Sequence, residues 1–283
     1  SCWHIAHPNW PAWKRRAYLA EALFENLSHV IAQSEVDGSR FAELGARPVT
    51  VSGNLKVDTT PPPANQQEFE NLKASIAGRP VWAAVSTHDG EEDIAGDVHN
   101  LVESRHAGLL TIIVPRHPDR APAIVSLLKA KGLNVARRST GETITDETQV
   151  YLGDTIGEMG LYLRLTEIAF VGRSLTSTGG QNPLEPAALE TAVLAGPNVQ
   201  NFRDSYKRLI DDGNARLVKD KEMLAAGVSY LLGNEPVRRK MMEAGVAAVT
   251  AMQGSLAKTM ATLEPYIQPL VVKAGLDRLT GKR

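Results

Sequence analysis

The chain has 283 residues, 43% apolar and 22% charged, an ordinary globular composition with room for one large domain or two modest ones. Its net charge of −1 supplies no global field for nucleic acid, and a single cysteine, Cys2, excludes an intramolecular disulfide and fits a reducing compartment. No apolar run approaches the ~20 residues of a membrane span, no secretory h-region is visible, and the chain starts at Ser, as a piece of a longer protein would.

Residues 1–16 read as a detached or exposed segment. Cys2, His4 and His7 lie close together, but no further ligand follows at zinc spacing, and Pro8 and Pro11 discourage a helix before about Ala12. An amphipathic helix is predicted next, with Tyr18, Leu19, Ala22, Leu23 and Leu27 on its apolar face. Residues 29–32 and 49–51 are predicted strands. Between them Ser34-Glu35 opens a helix that ends around Phe41, Leu44 and Gly45. The proline triplet Pro61-Pro62-Pro63 is stiff and extended, and a domain boundary is placed here, dividing 1–58 from 59–283.

Beyond the triplet, strands alternate with helices. Strands are predicted at 81–85, 109–114, 135–136, 150–152, 168–171, 193–195 and 215–218. From Glu222 the chain reads as helical, with breaks near Gly233 to Pro236 and at Pro265. This alternation predicts an α/β fold with a doubly wound parallel sheet.

In such a sheet, the loops at the carboxyl ends of the strands converge on one edge, where ligands bind. Four loops carry the chemistry: Ser86-Thr87-His88, Pro115-Arg116-His117, Ile156-Gly157-Glu158 and Gly179 to Glu185. Arg116 offers a charged fork for a phosphate or carboxylate, or forms a surface ion pair. His88 and His117 are acid/base groups, phosphate contacts or merely solvated. Glu158 accepts hydrogen bonds from a ribose or base, or stabilises a helix N-terminus.

The stretch from Val171 to Pro186 runs from strand through a small-residue loop into a helix. Asn182 is the predicted N-cap, Pro183 the first helical residue, and Glu185 the partner that completes a capping box. Gly179 and Gly180 leave bare backbone beside that helix start, suited to an anion, or else they only turn the chain. The spacing from Gly172 to Gly180 fits neither a dinucleotide fingerprint nor a P-loop, and no nucleophile elbow occurs. A sugar nucleotide is therefore preferred over hydride transfer or ATP hydrolysis. No Asp-x-Asp or His/Cys cluster marks the loops, so no metal or other cofactor is expected.

Several ordered motifs resemble the Kdo (3-deoxy-D-manno-octulosonic acid) transferases. They are Ala32-Gln33-Ser34-Glu35, Gly53-Asn54-Leu55-Lys56 with Asp58, Ser86-Thr87-His88 with Gly90-Glu91-Glu92, and Pro115-Arg116-His117-Pro118 with Arg120. They continue through Gly153-Asp154-Thr155-Ile156-Gly157-Glu158-Met159-Gly160 and Gly179 to Pro186, so the resemblance runs from about residue 30 to about 265. It implies one half of a two-domain GT-B glycosyltransferase, using CMP-Kdo as donor and a lipid A precursor as acceptor. By this resemblance Pro115, Arg116, Ile156, Gly157, Glu158, Asn182, Pro183, Leu184 and Glu185 would contact CMP, and with Ser86, Thr87, His88, His117, Gly179 and Gly180 of the same loops they form the candidate donor site.

The same resemblance implies an N-terminal acceptor domain, membrane-associated and bearing a glutamate base, of which this chain holds only the last portion. An Asn-Ala-Arg-like segment followed by Ser is replaced by His4 to Trp13, and Glu21 and Glu25 lie too near the boundary to serve, so no catalytic residue is nominated. The full protein is expected at the cytoplasmic face of the bacterial inner membrane. This chain is expected to be soluble and inactive alone, meeting acceptor and membrane only through that other region. The alternative is a stand-alone nucleotide-binding module or a sugar-nucleotide epimerase-like half-site, which would take a uridine diphosphate sugar.

Overall fold

The computed structural model describes residues 10–58 and 61–280, so Cys2, His4, His7 and Pro8 lie outside the described residues. The chain divides into two compact units, Ser1–Thr59 with Met252–Arg283, and Thr60–Ala251.

In the first unit, α1 (Trp10–Arg15) and α2 (Ala17–Phe24) lead to β1 (Val30–Ala32), α3 (Glu35–Glu43) and β2 (Val49–Val51). The two strands pair in parallel, with Val30 opposite Val49. Ser34 caps α3 by accepting the Asp37 N–H at 3.1 Å. Helix α2 reverses the predicted orientation: Ala20 and Phe24 are buried, whereas Tyr18 is 89% and Leu19 59% exposed. Aromatic packing decides the face. Phe24 meets Trp13 at 5.7 Å and Phe41 edge-on at 5.5 Å, which outweighs the longer stripe of Tyr18, Leu19, Ala22, Leu23 and Leu27.

The second unit begins with α4 (Gln66–Ile76), a helix absent from the sequence reading, capped by Asn65, which accepts the Glu68 N–H at 3.1 Å. Then follow β3 (Val81–Thr87), α5 (Glu91–Glu103), β4 (Leu110–Pro115), α6 (Ala121–Ala130), β5 (Val135–Arg137), β6 (Val150–Leu152) and α7 (Met159–Arg164). The chain continues as β7 (Ile168–Val171), α8 (Leu184–Ala188), β8 (Ala192–Ala195), α9 (Arg203–Asp211), β9 (Ala215–Leu217), α10 (Lys221–Gly233) and α11 (Glu235–Met252).

Seven parallel strands lie in the order β5-β6-β4-β3-β7-β8-β9. Strands β4, β7 and β8 are buried at every position, as a sheet covered on both faces requires. One face, carrying Trp82, Ala84, Ile113, Phe170 and Leu194, shares a core with Val98 of α5, Leu128 of α6 and Val228 of α10. The winding reverses at β3, which has β4 on one side and β7 on the other. The doubly wound sheet expected from the alternation is the sheet observed.

The proline triplet packs on α7. Arg164 donates to the Pro62 carbonyl at 2.7 Å, and a Cβ added to Gly160 would lie 2.1 Å from the same oxygen. A final helix, α12 (Ser255–Thr280), groups with the first unit, although sequence placed all of 59–283 together. Asp58 accepts the Gly254 N–H at 2.7 Å and the Leu256 N–H, and Tyr266 donates to the Ser28 carbonyl at 3.0 Å. Helix α12 also runs through Pro265, where a break was predicted. Proline removes one N–H and crowds the carbonyl four residues back, and here that turn is exposed, so water reaches the freed carbonyl. No helix among the described residues is long and apolar enough to cross a membrane.

Gly160→Ala is expected to destabilise the protein by about 1–3 kcal/mol, the usual range for overpacking. Urea unfolding measures this, and an unchanged midpoint would show that the triplet is not held against α7.

Candidate functional site

The four loops singled out in the sequence follow β6, β4, β3 and β7, which are four adjacent strands. They therefore line one continuous carboxyl edge, centred on the point where the winding reverses. The loops also touch. The Arg116 N–H donates to the Thr87 carbonyl at 3.0 Å, and the Thr176 hydroxyl to the Asp89 carbonyl at 2.7 Å. The rings of His88 and His117 meet edge-on with centroids 5.7 Å apart.

Glu91, the first residue of α5, organises this edge. Its carboxylate is 1% exposed. Oε2 accepts the N–H groups of His88 at 2.9 Å and Arg173 at 2.7 Å, while Oε1 accepts those of Ser174 at 2.9 Å and Leu175 at 3.0 Å. Three consecutive N–H groups of the β7 loop thus converge on a carboxylate carried by the β3 loop, a nest filled from within the protein. Beside it, buried Glu92 takes the Thr87 hydroxyl at 2.9 Å and the Arg120 fork at 2.9 and 3.2 Å, and Arg120 also holds Asp89 at 2.8 Å. Burial works against the charge on Arg120, but Glu92 and Asp89 outweigh it and raise its pKa.

Both strands at the reversal end in strained backbone. Ser86 has φ +53° and sits where the β3–β4 register shifts, so it is the extra residue of a bulge. Arg173 has φ +56°, a left-handed conformation that disfavours a side chain by about 1–2 kcal/mol. The Arg173 side chain is half-buried, and it makes no hydrogen bond or ion pair among the described residues.

Among the predicted site residues, Arg116 and His117 are exposed, and Arg116 likewise has no side-chain partner among the described residues. Ser86 and His88 are half-buried, and the His88 Nδ1 lies 3.1 Å from the Ser86 carbonyl. Ile156 is 89% exposed, and Gly157, at φ +86°, has open space where a side chain would be. Gly179 and Gly180 have φ +121° and +74°, and their N–H groups go to Gln200 Oε1 at 3.1 Å and the Arg173 carbonyl at 2.8 Å. The side chains of Thr87, Pro115, Pro183 and Leu184 are buried, so these four shape the edge from beneath.

Glu158 is engaged from within. Arg138 reaches it at 2.8 and 3.1 Å, the Tyr162 hydroxyl at 3.3 Å, and the Thr155 hydroxyl also donates to it. The Arg138 fork, against partial burial and with help from Thr155, holds the Glu158 carboxyl below its usual range. Although it sits at the N-cap of α7, Glu158 makes no side-chain cap there.

The capping box takes a different form from the one predicted. Helix α8 starts at Leu184 with Pro183 at the N-cap, and Asn182 Oδ1 accepts the Leu184 N–H at 3.1 Å. Glu185 accepts from the Asn182 side-chain amide at 3.1 Å, not from its backbone. In the sequence Arg173 stands only as part of the stretch from Val171 to Pro186, with no role assigned, and Glu91 only as part of a motif. A lone Arg after Gly172 carries no pattern, and a carboxylate that binds a loop some eighty residues away leaves no local spacing.

A concavity of about 380 Å³ lined by Leu163, Thr166, Glu167, Leu189 and Glu190 lies at the amino ends of β7 and β8, away from these loops. Among the described residues, no group of three or more His, Cys, Asp or Glu is placed to hold a metal ion. What the edge offers is two guanidinium groups without partners among the described residues, two histidines and the open Gly157 turn, which is chemistry for holding an anionic ligand.

A doubly wound parallel sheet with this edge is the nucleotide-binding architecture of GT-B glycosyltransferases. Sucrose-phosphate synthase from Thermosynechococcus elongatus shares the fold at 17% identity, with a TM-score of 0.53 over 92% of this chain and 62% of that one. The C-terminal CMP-Kdo binding domain of WaaA from Acinetobacter baumannii superposes with a TM-score of 0.62 at 28% identity, covering 65% of this chain and 96% of that one. A family model described as 3-deoxy-D-manno-octulosonic-acid transferase (kdotransferase) matches residues 5–59. The 3-deoxy-D-manno-octulosonic acid transferases of Haemophilus influenzae and Bordetella pertussis are 33% and 34% identical to it, each over 90% of this chain. The chain is thus similar to Kdo transferases along 90% of its length, and it spans 60% and 61% of the length of those two relatives.

Glu91→Gln would keep the shape but place an amide NH₂ against backbone N–H groups. Hydrogen bonds to a charged acceptor contribute ~1.5–3 kcal/mol each, so a loss of roughly 3 kcal/mol in unfolding free energy is expected. Chemical denaturation measures it, and a near-silent substitution would show that the β7 loop holds its conformation without the carboxylate.

Proposed function

We propose that this chain binds CMP-Kdo along the carboxyl edge of β6, β4, β3 and β7, as the donor half of a transferase that delivers Kdo to a lipid A precursor. One observation carries the reading: the four family-like loops follow four adjacent strands at the winding reversal. The description of the Acinetobacter baumannii domain as CMP-Kdo binding supports the choice of nucleotide.

In this reading the Arg116 fork takes the phosphate, flanked by Ser86, His88 and His117. Gly157 lets the ligand approach the backbone, since open space lies where its side chain would be, whereas Gly179 is covered by Asn201 and Arg173 and Gly180 by Val199. Glu158 sets the Ile156-Gly157 loop through Arg138 rather than meeting the ligand. Glu185 orients Asn182 with one carboxylate oxygen and offers the other to a ribose hydroxyl. When the acceptor hydroxyl attacks the sugar, the bond to the phosphate oxygen breaks and CMP departs with the electron pair. A guanidinium at that phosphate stabilises the developing charge without a metal.

Calorimetric titration with CMP, UMP and UDP, with and without chelator, tests the reading. CMP is expected to bind most tightly and to be indifferent to chelator. Tighter binding of UDP would favour the epimerase-like alternative, and loss of CMP binding in chelator would overturn the metal-free site.

Glu185→Gln keeps one acceptor oxygen but loses the charge. It is expected to weaken CMP by roughly five- to twentyfold, about 1–1.8 kcal/mol, with little change in Tm. Unchanged affinity would reduce Glu185 to a partner of Asn182.

A further inference from the structure

We infer that Arg173 is a second anion-binding residue of this edge, acting with Asn201 over Gly179, an assignment that rests on the CMP-sugar reading above. The backbone supplies the first reason. Arg173 occupies a left-handed position created when three consecutive N–H groups turn onto Glu91, and glycine would adopt it without strain. An arginine held there persists against its backbone preference, and strain of that kind at a ligand edge points to a use for the side chain.

The surroundings supply the second reason. Arg173 Nε lies 3.4 Å from the point that a Cβ on Gly179 would occupy, and Asn201 Nδ2 lies 2.7 Å from the same point. Both groups are donors, and neither side chain has a hydrogen-bond partner among the described residues. The Gly179 peptide cannot satisfy them, because its N–H goes to Gln200 and its carbonyl accepts the Asn201 N–H at 2.8 Å. Glu91 cannot either, since its two oxygens hold four backbone N–H groups. A guanidinium and an amide NH₂ therefore converge over a glycine, neither of them paired among the described residues.

The position completes the case. Arg116 follows β4 and Arg173 follows β7, on either side of β3. Two strand spacings separate those strands, roughly 10 Å, a span that two long side chains can close on one ligand. A CMP-linked ulosonic acid carries two anions, the phosphodiester and the sugar carboxylate, so one cation cannot neutralise it.

The test compares wild type, Arg173→Gly and Arg173→Lys with cytidine, CMP and CMP-Kdo as probes, alongside thermal melts. Arg173→Gly is expected to weaken CMP-Kdo roughly tenfold, to leave cytidine unchanged, and to keep Tm at or above wild type because the strain is relieved. Arg173→Lys should fall between the two, since it keeps the charge and loses the fork. Equal losses for CMP and CMP-Kdo assign Arg173 to the phosphate, and a loss confined to CMP-Kdo assigns it to the carboxylate. Either result supports the inference. CMP-Kdo affinity within twofold of wild type in Arg173→Gly overturns it, as does a fall in Tm accompanied by loss of cytidine binding. Failure of wild type to bind CMP at all would instead overturn the donor-site reading.

Discussion

The carboxylate of Glu91 is the constraint on which the edge depends. Strands β3 and β7 are paired as far as Val85 and Val171, and beyond that point their loops lead to β4 and β8 on opposite sides of the reversal. Glu91 ties them through its hydrogen bonds to the N–H groups of Arg173, Ser174 and Leu175 and of His88. A buried carboxylate is tolerated only when its lone pairs are met, and these four donors meet them. The close approach of Gly172 follows directly: a Cβ there would lie 2.7 Å from Glu91 Oε2 and 2.5 Å from the Ser86 carbonyl.

This arrangement has a consequence for recognition. Convergent backbone N–H groups at a strand end are a common anion receptor. Here the receptor is already filled by the protein, so an anionic ligand must be met by side chains. Much the same holds for other acidic motif residues. Glu92 serves Thr87 and Arg120, while Asp154 takes the Ser139 N–H at 2.8 Å and hydroxyl at 2.7 Å and Arg137 at 2.5 Å. Burial alone would raise the Asp154 pKa, but Ser139 and Arg137 outweigh it and leave it lowered. Much of the acidic part of the motif set is thus scaffold that fixes where the cationic and glycine positions stand.

The central strands β4, β6, β7 and β8 were legible as short apolar runs, whereas β5 and β9 at the sheet edges each include an arginine, and the alternation of strands with helices left one class of fold. The edge was legible for the same reason, since candidate residues falling just after strands must share it. What escaped was decided by contacts distant in sequence. Helix α2 offered a broad apolar stripe, yet buried Phe24 because Trp13 and Phe41 were there to receive it. Helix α4 has a weak apolar pattern, with only Leu72 and Ile76 buried, so periodicity did not reveal it. Asn182 and Glu185 were the right pair in the wrong geometry, because Pro183 moved the helix start one residue on and turned the Asn182 amide toward the carboxylate.

The arginines of the second unit show the same logic at the scale of the whole sheet. At the amino ends of the strands, Arg79 gives its guanidinium to four backbone carbonyls, those of Gly108, Leu109, Thr145 and Thr148. Partial burial lowers its pKa despite nearby Asp146 and Glu103, so that end is closed by neutral acceptors. At the carboxyl ends, Arg120 and Arg138 are matched to carboxylates, Glu92 with Asp89 and Glu158 with Glu68. Arg116 and Arg173 stand on the same edge with neither kind of partner among the described residues. Since Glu91 has removed the backbone N–H groups from competition, charge complementarity at this edge falls to those two side chains. One end of the sheet uses arginine to finish the fold, and the other combines paired arginines with two that have no partner among the described residues.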